Sequence, residues 1–245
     1  MGMPVCVDVR DAAAPGTVDW VFEWLRFVDV TFSTYRAGSE ISRLGRGELA
    51  EDDASAAVRE VLARCRELRD ETGGFFDPRA TGRLDPSGFV KGWAIDRAAA
   101  MLEHAGARSF CLNAGGDVLV RGGGPWRIGI QHPYRRRCLA AVIELADGAV
   151  ATSGSYERGP HVIDPHSARP PSGVLSVTIM GPELGQADAY ATAAFAMGEQ
   201  GPDWTASLHD HEAMTILDGD RVLSTPGFLD RCPGTTRLRT TDYGL

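Results

Sequence analysis

No run in this 245-residue sequence is long and apolar enough to read as a transmembrane span. The opening MGMPVCVDVRDAAAPG is broken by Asp8 and Arg10, so no secretory leader is expected, and a cytoplasmic location is the default reading. Cysteine is scarce. Cys6, Cys65, Cys111, Cys138 and Cys232 are odd in number and never form CxxC, which argues against a disulfide scaffold and a zinc site. Concentrated positive charge is missing too. With 25 Lys and Arg against 33 Asp and Glu the net charge is −8, and the densest basic run is RRR at 135–137. Nucleic acid is therefore not an expected partner. GxGxxG, Gly-x-Ser-x-Gly and HExxH are absent, which removes support for a Rossmann site and for two hydrolase classes.

What is present reads as α+β. Apolar stripes predict helices over 17–30 (capped by Thr17), 52–71, 91–104 and 186–197, with a short helix near 202–208. Residues 3–9 read as a strand, and 32–44 as a polar turn. From 108 to 181 short strand-like runs, HVIDP (161–165) among them, are separated by Gly, Pro, Asn and Asp clusters. A hairpin turning at Asp218-Gly219 follows. Helices precede strands without βαβ alternation, which predicts a largely antiparallel sheet with packed helices. One domain over 1–230 and a polar tail over 231–245 are expected.

The chemistry gathers in a few places. Asp188 and Thr192 are four apart on a predicted helix, so both oxygens share a face and suit a hard cation such as Mg²⁺. A local hydrogen bond on a solvated face is the plainer alternative. NAGGD (113–117) allows close backbone approach to a phosphate, or is simply a tight hairpin turn. Lys91, expected to open a helix, either meets an anion or is a solvated lysine. His161, in GPHVIDP, is a general base or a half-buried structural histidine.

Seven segments in order, MG, FSTYRAGSEISRL, GGFFDP, DPSGFVKGWAIDRA, NAGGDV, ATSGSYERGPHVIDP and VTIMGPELGQADAYATAAFAMG, are similar to those of the ApbE family of flavin transferases. The resemblance runs from Met1 to about residue 225. It implies Mg²⁺-dependent transfer of FMN from FAD onto a threonine of an acceptor protein with an FMN-binding domain, releasing AMP. It also implies site residues. Asp188 and Thr192 match metal ligands, with backbone carbonyls of Gly88 and Gly185 completing the shell. Met1, Tyr35, Phe75, Phe76, Asp77, Asp85, Lys91 and Ile163 match FAD-contacting positions, and His161 the base. The run between GGFFDP and DPSG is shorter than the family's pattern, and Met3 replaces its usual Thr. Two other readings stay open: an FAD pyrophosphatase yielding FMN and AMP, and a non-catalytic FAD-binding protein.

Overall fold

The fold is that of a computed structural model, which describes residues 2–135, 137–154 and 162–233. In chain order it runs β1 (Val5–Val9), α1 (Thr17–Phe32), α2 (Glu40–Gly45), α3 (Ala56–Glu71), α4 (Ser87–His104), β2 (Phe110–Ala114), β3 (Asp117–Arg121), β4 (Trp126–Gln131) and β5 (Leu139–Leu145). Then come β6 (Gly148–Gly154), β7 (Val174–Gly181), α5 (Leu184–Ala196), α6 (Gly201–Ala206), β8 (Glu212–Leu217), β9 (Arg221–Ser224) and α7 (Pro226–Asp230). Among the described residues, no helix is long and apolar enough to cross a membrane.

Among the described residues the strands make a seven-stranded antiparallel sheet in the order β1-β2-β3-β6-β7-β8-β9, and β4 and β5 pair as a separate hairpin. The sheet is the middle of three layers. On one face α1, α3, α4 and α5 bury Val28, Leu68, Ile95 and Leu184 against Leu112, Leu119 and Ile179. On the other, the β4–β5 hairpin and α7 bury Trp126, Ile128, Ile143 and Phe228 against Val120, Met180 and Ile216. Strand β7 lies between both layers, so nearly every residue of VLSVTIMG is buried and no polar alternation remains.

Several boundaries differ from the sequence expectation for local reasons. Gly16, at φ 82°, stands at the N-cap of α1, while the Thr17 hydroxyl, inside the first turn, donates to the Ala14 carbonyl at 2.6 Å. The expected polar turn at 32–44 contains α2, begun by Ser39, whose side chain accepts the Ser42 N–H. Helix α4 starts at Ser87 rather than 91, directly after Pro86. HVIDP is not a strand within its described part; Asp164 makes only an isolated bridge to Arg169. Just after α7 the chain is still bonded to the β4–β5 hairpin, because the Glu144 N–H donates to the Arg231 carbonyl at 2.8 Å.

Candidate active site

Helices α4 and α5 pack side by side, and glycine permits it. A Cβ on Gly92 would lie 2.5 Å from the backbone nitrogen of Gly185. One on Gly185 would lie 2.9 Å from the Phe89 ring. A third, on Gly88, would lie 3.2 Å from Thr192 Oγ1 and 3.3 Å from the Phe76 ring. Small residues at these crossings let the first turns of α4 face the middle of α5 across almost no intervening side chain.

Here the polar groups converge. Asp188 on α5 and Asp117 at the start of β3 are 3% and 2% exposed. Between them lies the Lys91 ammonium, 3.4 Å from Asp188 Oδ1 and in tight contact with Asp117 Oδ2. Asp117 is held in place because its Oδ1 accepts the Thr152 N–H at 3.0 Å. Thr192 Oγ1 and Ser153 Oγ lie 3.3 Å apart. Burial works against the Lys91 charge, but Asp188 and then Asp117 outweigh it, and its pKa is raised above the ordinary lysine value. The group is a buried −1,+1,−1 triad, a constellation that costs desolvation and is justified by function more readily than by stability.

This cluster forms one end of a cavity of about 770 Å³, within the ~300–1,000 Å³ span of small-molecule sites. Phe75, Phe76, Val162 and Ile163 line an apolar part of the wall, and Gly2, Met3 and Gly115 contribute where β1 meets the β2–β3 turn. Gly115 and Gly116 have φ of 61° and 102°, so NAGGD is a hairpin turn and a cavity wall at once.

The expected site residues fall as follows. Tyr35, Phe75, Phe76, Asp77, Asp85, Gly88, Lys91, Ile163, Asp188 and Thr192 all line this cavity. Tyr35 stands on its rim almost fully exposed, and Phe76 is buried beside Gly88. Phe75 meets His166 edge-on, with ring centroids 4.5 Å apart. The shortened segment after Asp77 closes on itself, since the Asp85 N–H donates to the Pro78 carbonyl at 2.7 Å. The Asp85 carboxylate then accepts the Ser87 N–H at 3.0 Å, at the start of α4. Gly185 is not among the cavity-lining residues; it lies in the first turn of α5, where its N–H donates to Asp96 at 2.8 Å. Met1 and His161 lie outside the described residues. The solvated readings of Lys91 and of the Asp188–Thr192 pair give way to the burial of Asp188 and to the two ion pairs of the half-buried Lys91. Sequence reasoning missed the role of the Asp117 carboxylate, since it read NAGGD only as backbone that approaches a phosphate or as a tight turn. The signal was available: a carboxylate directly after two glycines, opening a strand.

The ApbE family model matches residues 1–82 and 79–215. The chain belongs to the ApbE family. An FAD:protein FMN transferase of Rhodobacter capsulatus is 35% identical over 190 residues, which cover 71% of this chain and 36% of that protein. One from Vibrio cholerae serotype O1 is 36% identical over 151 residues, covering 56% of this chain and 45% of its own length. The matches thus span less than half of these curated relatives. Among solved structures, the flavin transferase ApbE from Vibrio cholerae superposes with a TM-score of 0.80 at 23% identity, over 94% of this chain and 96% of that one. The ApbE protein from Thermotoga maritima gives 0.80 at 22%, over 95% and 97%. These two likenesses establish the α+β fold.

Proposed function

We propose that this chain is a Mg²⁺-dependent FAD:protein FMN transferase, which moves FMN from FAD onto a threonine hydroxyl of a partner flavoprotein and releases AMP. The observation that carries the reading is the convergence of Lys91, Asp117, Asp188, Thr192 and Gly88 at one end of a cavity with an apolar wall. A dinucleotide needs both kinds of surface.

The donor set fits a hard cation. Asp188, Asp117, Thr192 and Ser153 supply oxygen only, and no thiol or imidazole is among them. The charge balance fits as well. Two carboxylates and one ammonium leave the pocket end net negative, which opposes a pyrophosphate unless a cation accompanies it. Mg²⁺, when bound, supplies neutralisation of the phosphate charge.

The chain's own residues do the rest. Phe75, Phe76, Val162 and Ile163 offer apolar surface to the flavin ring. Lys91 faces the pyrophosphate from α4. The threonine oxygen of the acceptor attacks the FMN phosphorus, and the bond from that phosphorus to the bridging oxygen breaks. AMP leaves with the bridging oxygen, and the threonine proton passes to His161, assigned as base on the family resemblance alone. FMN ends attached through a phosphoester.

The test is incubation of the purified chain with FAD, Mg²⁺ and a protein carrying an FMN-binding domain, followed by intact mass measurement. Expected is one added FMN on the acceptor, on a threonine. Free turnover of FAD to FMN and AMP without any acceptor would make the protein a pyrophosphatase. FAD that stays intact for hours with metal and acceptor present would make it a binding protein.

A further inference from the structure

We infer that Asp96 is a positioning residue for this reaction: its carboxylate fastens the start of α5 to α4 and thereby sets where Asp188 and Thr192 stand relative to Gly88 and Lys91. The inference rests on the transferase reading for its chemistry and on three observations for its geometry.

The first turn of any helix presents backbone N–H groups without an intrahelical acceptor. Glu183, which precedes α5, makes no capping bond with its side chain. The acceptor comes instead from the neighbouring helix. Asp96 Oδ1 takes the Leu184 N–H and Oδ2 takes the Gly185 N–H, each at 2.8 Å. Two bonds from one planar carboxylate oppose both sliding and rotation, which a single bond would not.

The second observation is where the attachment sits. Asp188 follows Leu184 by one helical turn and Thr192 by two, while Lys91 and Gly88 precede Asp96 on α4 by about one and two turns. All four site residues therefore ride on two rods that Asp96 fastens together one to two turns away from them. A slip of one residue along α5 corresponds to a rise of ~1.5 Å and a turn of ~100°. That displacement would carry Asp188 away from an ammonium 3.4 Å distant.

Third, Asp96 does not line the cavity, so it acts through the helices and not on substrate. The packing around it leaves no slack, since a Cβ on Gly185 would lie 3.2 Å from Asp96 Oδ2 and 3.0 Å from the backbone nitrogen of Trp93.

The experiment compares Asp96→Asn, which keeps the shape but presents an amide donor to one N–H, with wild type. Mg²⁺ and FAD binding are measured by calorimetry, transfer by intact mass, and unfolding by heat. Expected is a loss of about 10–100-fold in Mg²⁺ affinity and in kcat, the scale seen when a group that orients metal ligands is removed, with FAD affinity nearly unchanged once Mg²⁺ is saturating. Ile216→Val, in the core on the far side of the sheet, should lower stability and leave both constants alone. A wild-type Mg²⁺ affinity and kcat in Asp96→Asn would overturn the inference and leave Asp96 a structural residue. If that variant does not fold, Asp96→Glu keeps both acceptors on a longer arm; a weakened Mg²⁺ affinity supports positioning, and wild-type constants sink it. Failure of wild type to transfer FMN would count against the transferase reading alone, because Mg²⁺ binding still decides the role of Asp96.

Discussion

Replacing Gly92 with alanine tests the closeness of α4 and α5, on which the site depends. The new methyl carbon would sit 2.5 Å from the Gly185 backbone nitrogen and closer still to the Leu184 carbonyl oxygen. Both are backbone atoms, so no side chain can swing aside. To reach an ordinary contact of ~3.5 Å the helices must part by about 1 Å. Overpacking of this kind costs ~1–3 kcal/mol. The same movement stretches the two 2.8 Å bonds from Leu184 and Gly185 to Asp96 beyond hydrogen-bonding range. Losing bonds to a charged acceptor adds ~1.5–3 kcal/mol each at full loss. A total of about 4 kcal/mol or more is expected. Urea unfolding followed by tryptophan fluorescence reads it directly, with Trp93 on α4 as a nearby reporter. Mg²⁺ affinity should fall in the same variant. A Gly92→Ala protein within ~0.5 kcal/mol of wild type, the range of an inconsequential surface change, would show that the helices do not meet as described.

Asp188→Ala should reduce transfer by orders of magnitude and abolish the Mg²⁺ response, while Thr192→Val, which removes a neutral ligand, should do less; a Mg²⁺ titration of transfer rate checks both. Titration by flavin fluorescence should show tighter binding of FAD than of FMN, and equal affinities would mean that the AMP half goes unrecognised. His161→Ala should bind FAD and Mg²⁺ yet lose about 10²–10⁴-fold in transfer, and a near-wild-type rate would remove it from the mechanism. Burial raises the Asp96 pKa from 3.8 to about 6, despite the Gly185 and Leu184 bonds that pull it down. A raised folded-state pKa favours the folded state fully below the unfolded value and loses that contribution as pH rises through the folded one. The stability difference between wild type and Asp96→Asn should therefore change between about pH 4 and 6 and be flat above; urea midpoints across that range would reveal a constant difference if the shift were absent.

The amphipathic helices were legible because one face of each is apolar at helical spacing. Val58, Val61, Leu62, Cys65 and Leu68 of α3 are all buried as the stripe requires. Helix α2 escaped because six residues with two charges carry too little periodicity, and its start depends on one serine hydroxyl. The start of α4 escaped because Pro86 and Gly88 read as loop residues, although proline is well placed just before a helix. Strand order was not legible: nothing local in VCVDV says that it pairs with FCLNA. In the site, residues matched by motif resemblance such as Tyr35, Lys91, Asp188 and Thr192 line the cavity, Gly185 does not, and neither Asp117 nor Asp96 was singled out. Each acts through a partner distant in sequence, Lys91 and Thr152 for one, Leu184 and Gly185 for the other. Periodicity reports faces, not partners.

Among the described residues, strand β1 lies at the sheet's edge, bonded on one side only, and its neighbour β2 comes roughly a hundred residues later in the chain. Closing so long a loop is entropically slow, so this strand should dock late in folding. It is also the natural first element to open in the folded protein. Opening would withdraw Gly2 and Met3 from the cavity wall and lift Val5, Val7 and Val9 off the helix-side core, while the core on the hairpin side of the sheet stays closed. The amides of Val5–Val9 should then exchange with solvent faster than those of β7. Filling the cavity with FAD should slow them selectively, so that a bound nucleotide acts as the clasp on an otherwise loose end.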